Sequence, residues 1–214
     1  MVFNLSEQNS IANQFLMELR DKALQQDRLR FRKNLERLGE IMSFEISKRL
    51  TYTTKVIDTP LDKCRVNVMK EQPVLITILR AGLPFFQGFI NFFDRADAGF
   101  IGAYRRETLD TVQIKFDYIT SPITSGREVI LIDPMLATGK SLLDSVNQIM
   151  KRGKPANIHI ASLVAAPEGI KFLAEQMPMS YSLWTYAIDE KLNAQSYIVP
   201  GLGDAGDLSF GAKL

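Results

Sequence analysis

Residues Val74 to Leu79 read VLITIL, an unbroken run in which only Thr77 is polar and four of the six residues are β-branched. A strand points successive side chains to opposite faces, so a run without alternation puts apolar groups on both. Both faces must then be covered, which is the condition of a parallel sheet between helices. The pattern recurs in GFIGAY (Gly99 to Tyr104), REVILID (Arg127 to Asp133), NIHIASLVAA (Asn157 to Ala166) and SYSLWTYAI (Ser180 to Ile188). Helical patterns lie between some of these runs. From Ser141 to Lys151, Leu142, Leu143, Val146, Ile149 and Met150 share one side, and Gly153 marks the stop. Pro167, a favoured first helical residue, opens a second helix that runs to Gln176. Strands alternating with helices predict an α/β fold with a mainly parallel sheet flanked by helices.

The 214 residues suit a single domain, with an N-terminal helical part over 1–72 and a core over 73–214. Asp27 is placed to cap a helix that carries Phe31, Leu35, Leu38, Met42 and Ile46 on one face. The basic cluster Arg28, Arg30, Arg32 and Lys33 is read as the solvated face of that helix, with anion binding as the alternative. A net charge of +2 gives no bulk electrostatic case for nucleic acid. The single cysteine, Cys64, excludes an intrachain disulfide and is expected to be a small buried hydrophobe. His159, the only histidine, and Trp184, the only tryptophan, both sit in strand-like runs and are read as core residues. The start MVFNLSEQNS lacks a basic and then apolar signal pattern, and no apolar stretch reaches the roughly 20 residues of a membrane span. A cytoplasmic protein without membrane attachment is the expectation.

Ligands of open α/β sheets bind beyond the carboxyl ends of the strands. RAG (Arg80 to Gly82), DPMLATGKS (Asp133 to Ser141) and AAPEG (Ala165 to Gly169) all fall there. The letters ATGKS suggest a P-loop, but Pro134 occupies the position of its first glycine. Proline lacks the N–H that such a loop directs at phosphate. A smaller cradle survives this objection. Thr138 and Ser141 offer hydroxyls, Lys140 offers charge, and a helix starting near Ser141 directs its N–H groups and dipole at an anion. A plain strand-to-helix turn capped by Thr138 is the competing reading.

ILIDPMLATGKS resembles the phosphoribosyl pyrophosphate (PRPP) motif of type I phosphoribosyltransferases, in the form carried by the uracil phosphoribosyltransferase family. Most members of the wider fold have two adjacent acidic residues at the strand end. The uracil enzymes have proline second, as in Asp133-Pro134. YIVPGLGDAGDLSFG (Tyr197 to Gly211) is similar to the family's uracil-binding signature. ILRAG, YRRETL and LVAAPEGI match family segments in order. The likeness is close from Pro73 onward and looser before it. One departure is Lys140, where the family usually has glycine.

The resemblance implies that uracil and PRPP give UMP and pyrophosphate, a pyrimidine-salvage reaction. It assigns PRPP to Arg80, Arg105, Asp133, Pro134, Met135, Leu136, Ala137, Thr138, Gly139, Lys140, Ser141 and Asp204. Within that set, 137–141 hold the 5′-phosphate, Asp133 accepts from the ribose hydroxyls, and Arg80 and Arg105 contact pyrophosphate. Uracil falls to the backbone of Ile198, Gly203 and Ala205, with Asp204 facing PRPP. Asp204 and Arg105 are the catalytic candidates, and Asp207 is expected to cap or brace the turn. Mg²⁺ is the implied cofactor, held mainly by PRPP and water, with no protein side chain assigned as a metal ligand. RRETLDTVQIKFDYI (Arg105 to Ile119) is read as a β-arm flap, with Thr108, Leu109 and Asp110 near its start. The family further implies a homodimer or higher homo-oligomer and carries GTP as a candidate effector. Two readings of other classes stand beside this one: an RNA-binding regulator on the same fold, and a nucleotide kinase using ATGKS as a P-loop.

Overall fold

The computed structural model of the chain describes residues 1–107 and 112–212, with the backbone alone at 103–107 and 112–117. The chain starts with strand β1 (Val2–Asn4) and helices α1 (Ile11–Arg20) and α2 (Arg28–Ser47). Asp27 caps α2 as its position predicts, accepting from the Arg30 N–H at 3.0 Å. Phe31, Leu35, Leu38, Met42 and Ile46 are all buried. The basic cluster is largely solvated, as expected: Arg28, Arg30 and Lys33 are exposed and Arg32 is half-buried. Arg30 pairs with Glu18 of α1 at 2.8 Å, and Arg32 donates to the carbonyl of Ser209 at 2.8 Å.

Residues 1–72 hold more than helices. The antiparallel hairpin of β2 (Tyr52–Asp58) and β3 (Lys63–Met69) follows α2. Strand β2 is exposed along its whole length. No second layer covers it, so its sequence carries no apolar alternation from which a strand could be read. Cys64 lies on β3 and is exposed, which corrects the expectation of a buried thiol.

The core region supplies β4 (Val74–Leu79), α3 (Gly82–Phe92), β5 (Asp97–Glu107), β6 (Val112–Thr120), β7 (Glu128–Ile132), β8 (Met135–Leu136) and α4 (Lys140–Met150). It continues with β9 (Asn157–Ala161), β10 (Val164–Ala165), α5 (Pro167–Gln176), β11 (Tyr181–Thr185), β12 (Ala187–Ile188), β13 (Lys191–Leu192), β14 (Ile198–Val199) and α6 (Ala205–Phe210). Seven strands form the main sheet in the order β1-β11-β9-β7-β4-β5-β6. All neighbours run parallel except β5 and β6. That antiparallel pair is the expected β-arm. Thr108, Leu109 and Asp110 lie outside the described residues, and so does the side chain of Arg105.

Alternation assigns the two faces. Leu75, Ile130, Ile132 and Trp184 pack with Leu35, Leu38 and Phe85 of the α2–α3 layer. Val74, Ile76, Val129, Leu131 and Ile160 pack with Leu142, Val146 and Leu173 of α4 and α5. Burying each such side chain contributes roughly 1.5–3 kcal/mol. His159 is structural, as its strand position predicts. Its Nδ1 accepts from Trp184 Nε1–H at 3.2 Å, so the ring proton sits on Nε2, 3.4 Å from Glu128 Oε2. The neighbouring His159 imidazole, with the Asn157 amide, holds the Glu128 carboxyl below its ordinary range.

Two runs that read as single strands change sheets partway. β9 gives way to β10, and β11 to β12; β8, β10 and β12 form a separate three-stranded sheet. Pro134 makes the matching break between β7 and β8. The Asp133 N–H still bonds Ala161 of the main sheet at 3.0 Å, but Pro134 has no N–H to continue the ladder. Its carbonyl instead accepts from Leu163 at 2.9 Å and Val164 at 3.2 Å. The chain thereby steps out of the main sheet at the start of the loop that leads into α4.

Candidate functional site

A cavity of about 820 Å³ opens at the carboxyl ends of the central strands. Three segments far apart in sequence meet there: the β4–α3 turn, the β7–α4 loop, and the stretch from 194 to 206. Arg80, Asp133, Met135, Ala137, Thr138, Gly139 and Ser141 line one side. Ile198, Gly203, Asp204 and Ala205 line the other. These residues were selected from sequence, and the fold brings them together.

Helix α4 begins at Lys140, with Gly139 as its N-cap at φ +79°. The first N–H groups of a helix have no intrahelical acceptor, so this end is a donor cluster with the positive pole of the dipole behind it. Asp133 Oδ1 accepts from the Met135 N–H at 3.2 Å, and the Ser162 hydroxyl donates to the Asp133 carbonyl at 2.8 Å. The loop rests on α5. A Cβ on Gly169 would stand 2.2 Å from the carbonyl oxygen of Ala137, so only glycine lets the helix approach this closely. Glu168, beside it, accepts from the Leu192 N–H at 2.9 Å and ties down the β13–β14 hairpin; that bond holds its carboxyl below the usual range. The AAPEG segment thus supports both sides of the cavity.

Among the described side chains of the sequence-derived set, three lie off the cavity lining. Pro134 and Leu136 are buried, because one fills the sheet break and the other the core against α4 and α5. Lys140 is exposed on α4. Burial pushes the Asp144 carboxyl up, and the Lys140 charge, one helical turn away, offsets part of that rise.

Arg80 follows the cis peptide Leu79–Arg80. Its Nη2 donates to Asp207 Oδ1 at 3.1 Å and to the carbonyl of Gly211 at 3.3 Å. Of the two roles expected of Asp207, capping and bracing, the structure shows the second. Asp204 is the cap of α6, its Oδ1 accepting the Asp207 N–H at 2.9 Å, while the Asp207 side chain pairs with Arg80. The cap bond holds the Asp204 carboxylate at the cavity wall.

The loop from Ala194 to Tyr197, between β13 and β14, also lines the cavity and was missed in the sequence. Asn193 shapes it. Its Oδ1 accepts from the N–H of Gln195 at 3.0 Å and of Tyr197 at 2.9 Å, and Ser196 adopts φ +61°. An asparagine next to small polar residues was the available signal. Two flanking strands of two residues each are too short to read from periodicity.

The hypoxanthine phosphoribosyltransferase of Staphylococcus aureus matches this fold with a TM-score of 0.51 at 12% identity, over 80% of this chain and 85% of that one. The sheet order and the position of the cavity thus define a protein of the phosphoribosyltransferase fold class. The AQ2163 protein of Aquifex aeolicus is much nearer, with a TM-score of 0.89 and 31% identity over 100% of both chains. The family model described as uracil phosphoribosyltransferase matches residues 6–212. The uracil phosphoribosyltransferase of Porphyromonas gingivalis is 44% identical over 214 residues, 100% of this chain and 99% of its own. That of Malacoplasma penetrans is 42% identical over 196 residues, 91% of this chain and 93% of its own. The chain belongs to the uracil phosphoribosyltransferase family.

Proposed function

We propose that the chain is a pentosyltransferase that moves the phosphoribosyl group of PRPP to uracil, giving UMP and pyrophosphate for pyrimidine salvage. One observation carries this reading. A single cavity has a helix N-terminus with two hydroxyl side chains on one wall and a glycine-rich backbone segment on the other. An anion suits the first wall and a flat neutral ring the second.

The chemistry follows from the residues. Ala137 to Ser141 receive the 5′-phosphate through N–H groups and the hydroxyls of Thr138 and Ser141. Asp133, an acceptor when ionised, takes hydrogen bonds from the ribose hydroxyls. Arg80 exchanges its half-exposed pairing with Asp207 for pyrophosphate oxygens, which a planar guanidinium meets two at a time. Arg105 is assigned the same task. Backbone groups at Ile198, Gly203 and Ala205 meet the donors and acceptors along the edge of uracil. Cleavage at the anomeric carbon leaves oxocarbenium-like charge on the sugar, beside the Asp204 carboxylate.

Among the described residues no group of three or more His, Cys, Asp or Glu side chains is placed to hold a metal. Asp133 and Asp204, the carboxylates on the cavity wall, are hard oxygen donors of the kind that suits Mg²⁺ through water. When bound with PRPP, Mg²⁺ neutralises charge on the departing pyrophosphate. No helix among the described residues is long and apolar enough to cross a membrane. A cytoplasmic homo-oligomer remains part of the proposal.

The deciding experiment incubates the protein with PRPP, Mg²⁺ and each free base and separates the products by chromatography. UMP and pyrophosphate in equal amounts, from uracil, are expected. Product from a purine alone, or phosphoryl transfer from ATP without PRPP, overturns the reading.

A further inference from the structure

The segment assigned to the base is held from behind by a buried ion pair to which the reaction chemistry gives no task. Asp189 follows β12 directly, and its side chain is 6% exposed. Its carboxylate accepts from Arg20 Nη2 at 2.8 Å and Nη1 at 3.1 Å, and from the Gly201 N–H at 2.8 Å. Arg20 Nη1 donates as well to the Gly201 carbonyl at 3.3 Å. One ion pair therefore satisfies both backbone polar groups of a single glycine. Charge-assisted bonds of this kind are short and directional, so they fix position and not only proximity.

Gly201 occupies a telling place. It has φ +60°, and a Cβ there would stand 2.2 Å from the carbonyl oxygen of Ile198, so the backbone is folded hard against that residue. Ile198 lies three residues before it and Gly203 two after, and both line the cavity. Any drift of Gly201 changes the spacing between them. Arg20 and Asp189 are not on the cavity wall. Arg20 is at the end of α1, a helix anchored to α2 by the Glu18–Arg30 pair.

We propose that Asp189, oriented by Arg20, is a positioning residue for the base: it sets the spacing of Ile198 and Gly203 and thereby the affinity for uracil, without touching it. The proposal rests on the assignment of uracil to Ile198, Gly203 and Ala205. A general structural brace would lower stability and harm every kinetic constant. A positioning role harms one.

The test uses Arg20→Lys and Asp189→Asn in the full chain. Lysine keeps the charge but lacks the fork that bonds two oxygens at once. In each variant KM for uracil is expected to rise about tenfold or more, the scale set by small misplacements in a site. KM for PRPP, and kcat at saturating uracil, should stay within about twofold. The double variant should do no further harm than the worse single one, because the two residues act as a unit. If Asp189→Asn fails to fold, Arg20→Lys decides alone. An unchanged uracil KM in a folded variant, or a joint decline of kcat and both KM values, overturns the proposal. The base assignment is tested separately on the unaltered protein by comparing backbone amide signals with UMP and with ribose 5-phosphate. Signals of Gly203 and Ala205 that respond to UMP alone uphold the assignment, and a normal uracil KM in the variants then removes only the positioning role. If those signals ignore the base, the assignment fails and the proposal fails with it.

Discussion

The loop proposed for phosphate and the loop proposed for the base both line one cavity, yet they are built in different ways. The loop from Asp133 to Ser141, proposed for phosphate, is held by neutral groups: the Ser162 hydroxyl bonds the Asp133 carbonyl, Leu163 and Val164 bond the Pro134 carbonyl, and α5 packs against Ala137 through Gly169. Asp133 bonds the N–H of Met135, and the loop runs into α4, whose first N–H groups form the donor cluster. The segment from Ile198 to Gly211, whose first part is proposed for the base, is held by charged residues from distant parts of the chain. Arg20 and Asp189 fix Gly201, Arg32 holds the carbonyl of Ser209, and Arg80 reaches Asp207 and Gly211. The difference suits the proposed ligands. An anion is attracted from any direction by a helix end and tolerates small errors of position. A neutral ring is recognised only when each donor meets an acceptor, so its backbone contacts must be braced from outside.

The largest expected effect tests whether the base loop is that rigid. Uracil should exceed cytosine in kcat/KM by on the order of 10⁴, because cytosine reverses a donor and an acceptor along one edge. Comparable values for the two bases would erase the contrast between the loops. Next comes Asp204→Asn. Asparagine caps a helix as well as aspartate, so α6 and the fold should persist while kcat drops by roughly 10²-fold or more. Asp207→Asn is the control. It releases Arg80 from a half-exposed pair, an interaction that typically contributes at most about 1 kcal/mol, and kcat should stay within about threefold. Greater damage to kcat in the control would mean that the wrong carboxylate has been chosen.

Gly169→Ala probes the phosphate side by pushing a methyl group toward the Ala137 carbonyl. Overpacking of this kind costs about 1–3 kcal/mol, and KM for PRPP should rise about tenfold while that for uracil holds. An equal rise in both would show that the two loops are coupled through α5. Lys140→Gly should act more weakly, raising KM for PRPP about fivefold with turnover retained, since the lysine is exposed and off the cavity wall. Complete loss of turnover in a folded variant would give Lys140 a place in the site. The smallest effect concerns α1, which carries Arg20. Hydrogen bonds from Arg30 and then Asn34 hold the Glu18 carboxyl at about 2 instead of 4.5. A lowered carboxyl stabilises the fold above its ordinary range, and that stability disappears as pH falls from about 4.5 toward 2. Wild type and Glu18→Gln should therefore differ in Tm near neutrality, by about 2–4 °C, and converge in acid. A difference that persists at pH 2 would contradict this.

The same contrast governs what could be read in the amino-acid sequence. VLITIL and REVILID announce a doubly covered parallel sheet because burial on both faces leaves a continuous apolar run. ATGKS suggests an anion site because its hydroxyls and the helix start lie within one short stretch. Asp133, Ile198, Gly203, Asp204 and Ala205, named from the family resemblance, line one cavity, but nothing in their own neighbourhoods reveals the pairing of Arg20 with Asp189. Those two are 169 positions apart, and only the tertiary fold pairs them. The capping role of Asp204 and the pairing of Asp207 with Arg80 were equally hidden, since either aspartate can cap by its position alone. The exposed β2–β3 hairpin left no periodic trace because neither of its faces is sealed from water.

Strand β1 has a bearing on how this protein can be handled. Val2, Phe3 and Asn4 pair with Leu183, Trp184 and Thr185, and the Phe3 ring stacks on Trp184 at 4.0 Å. These residues cover what would otherwise be an outer rim of unpaired N–H and C=O groups along β11, with apolar side chains at hand. A bare rim of that sort templates the addition of foreign strands. Removing Met1 to Asn4 should thus leave the catalytic machinery untouched and still produce a protein prone to clump, with the loss visible first as turbidity during expression and only later as lost turnover.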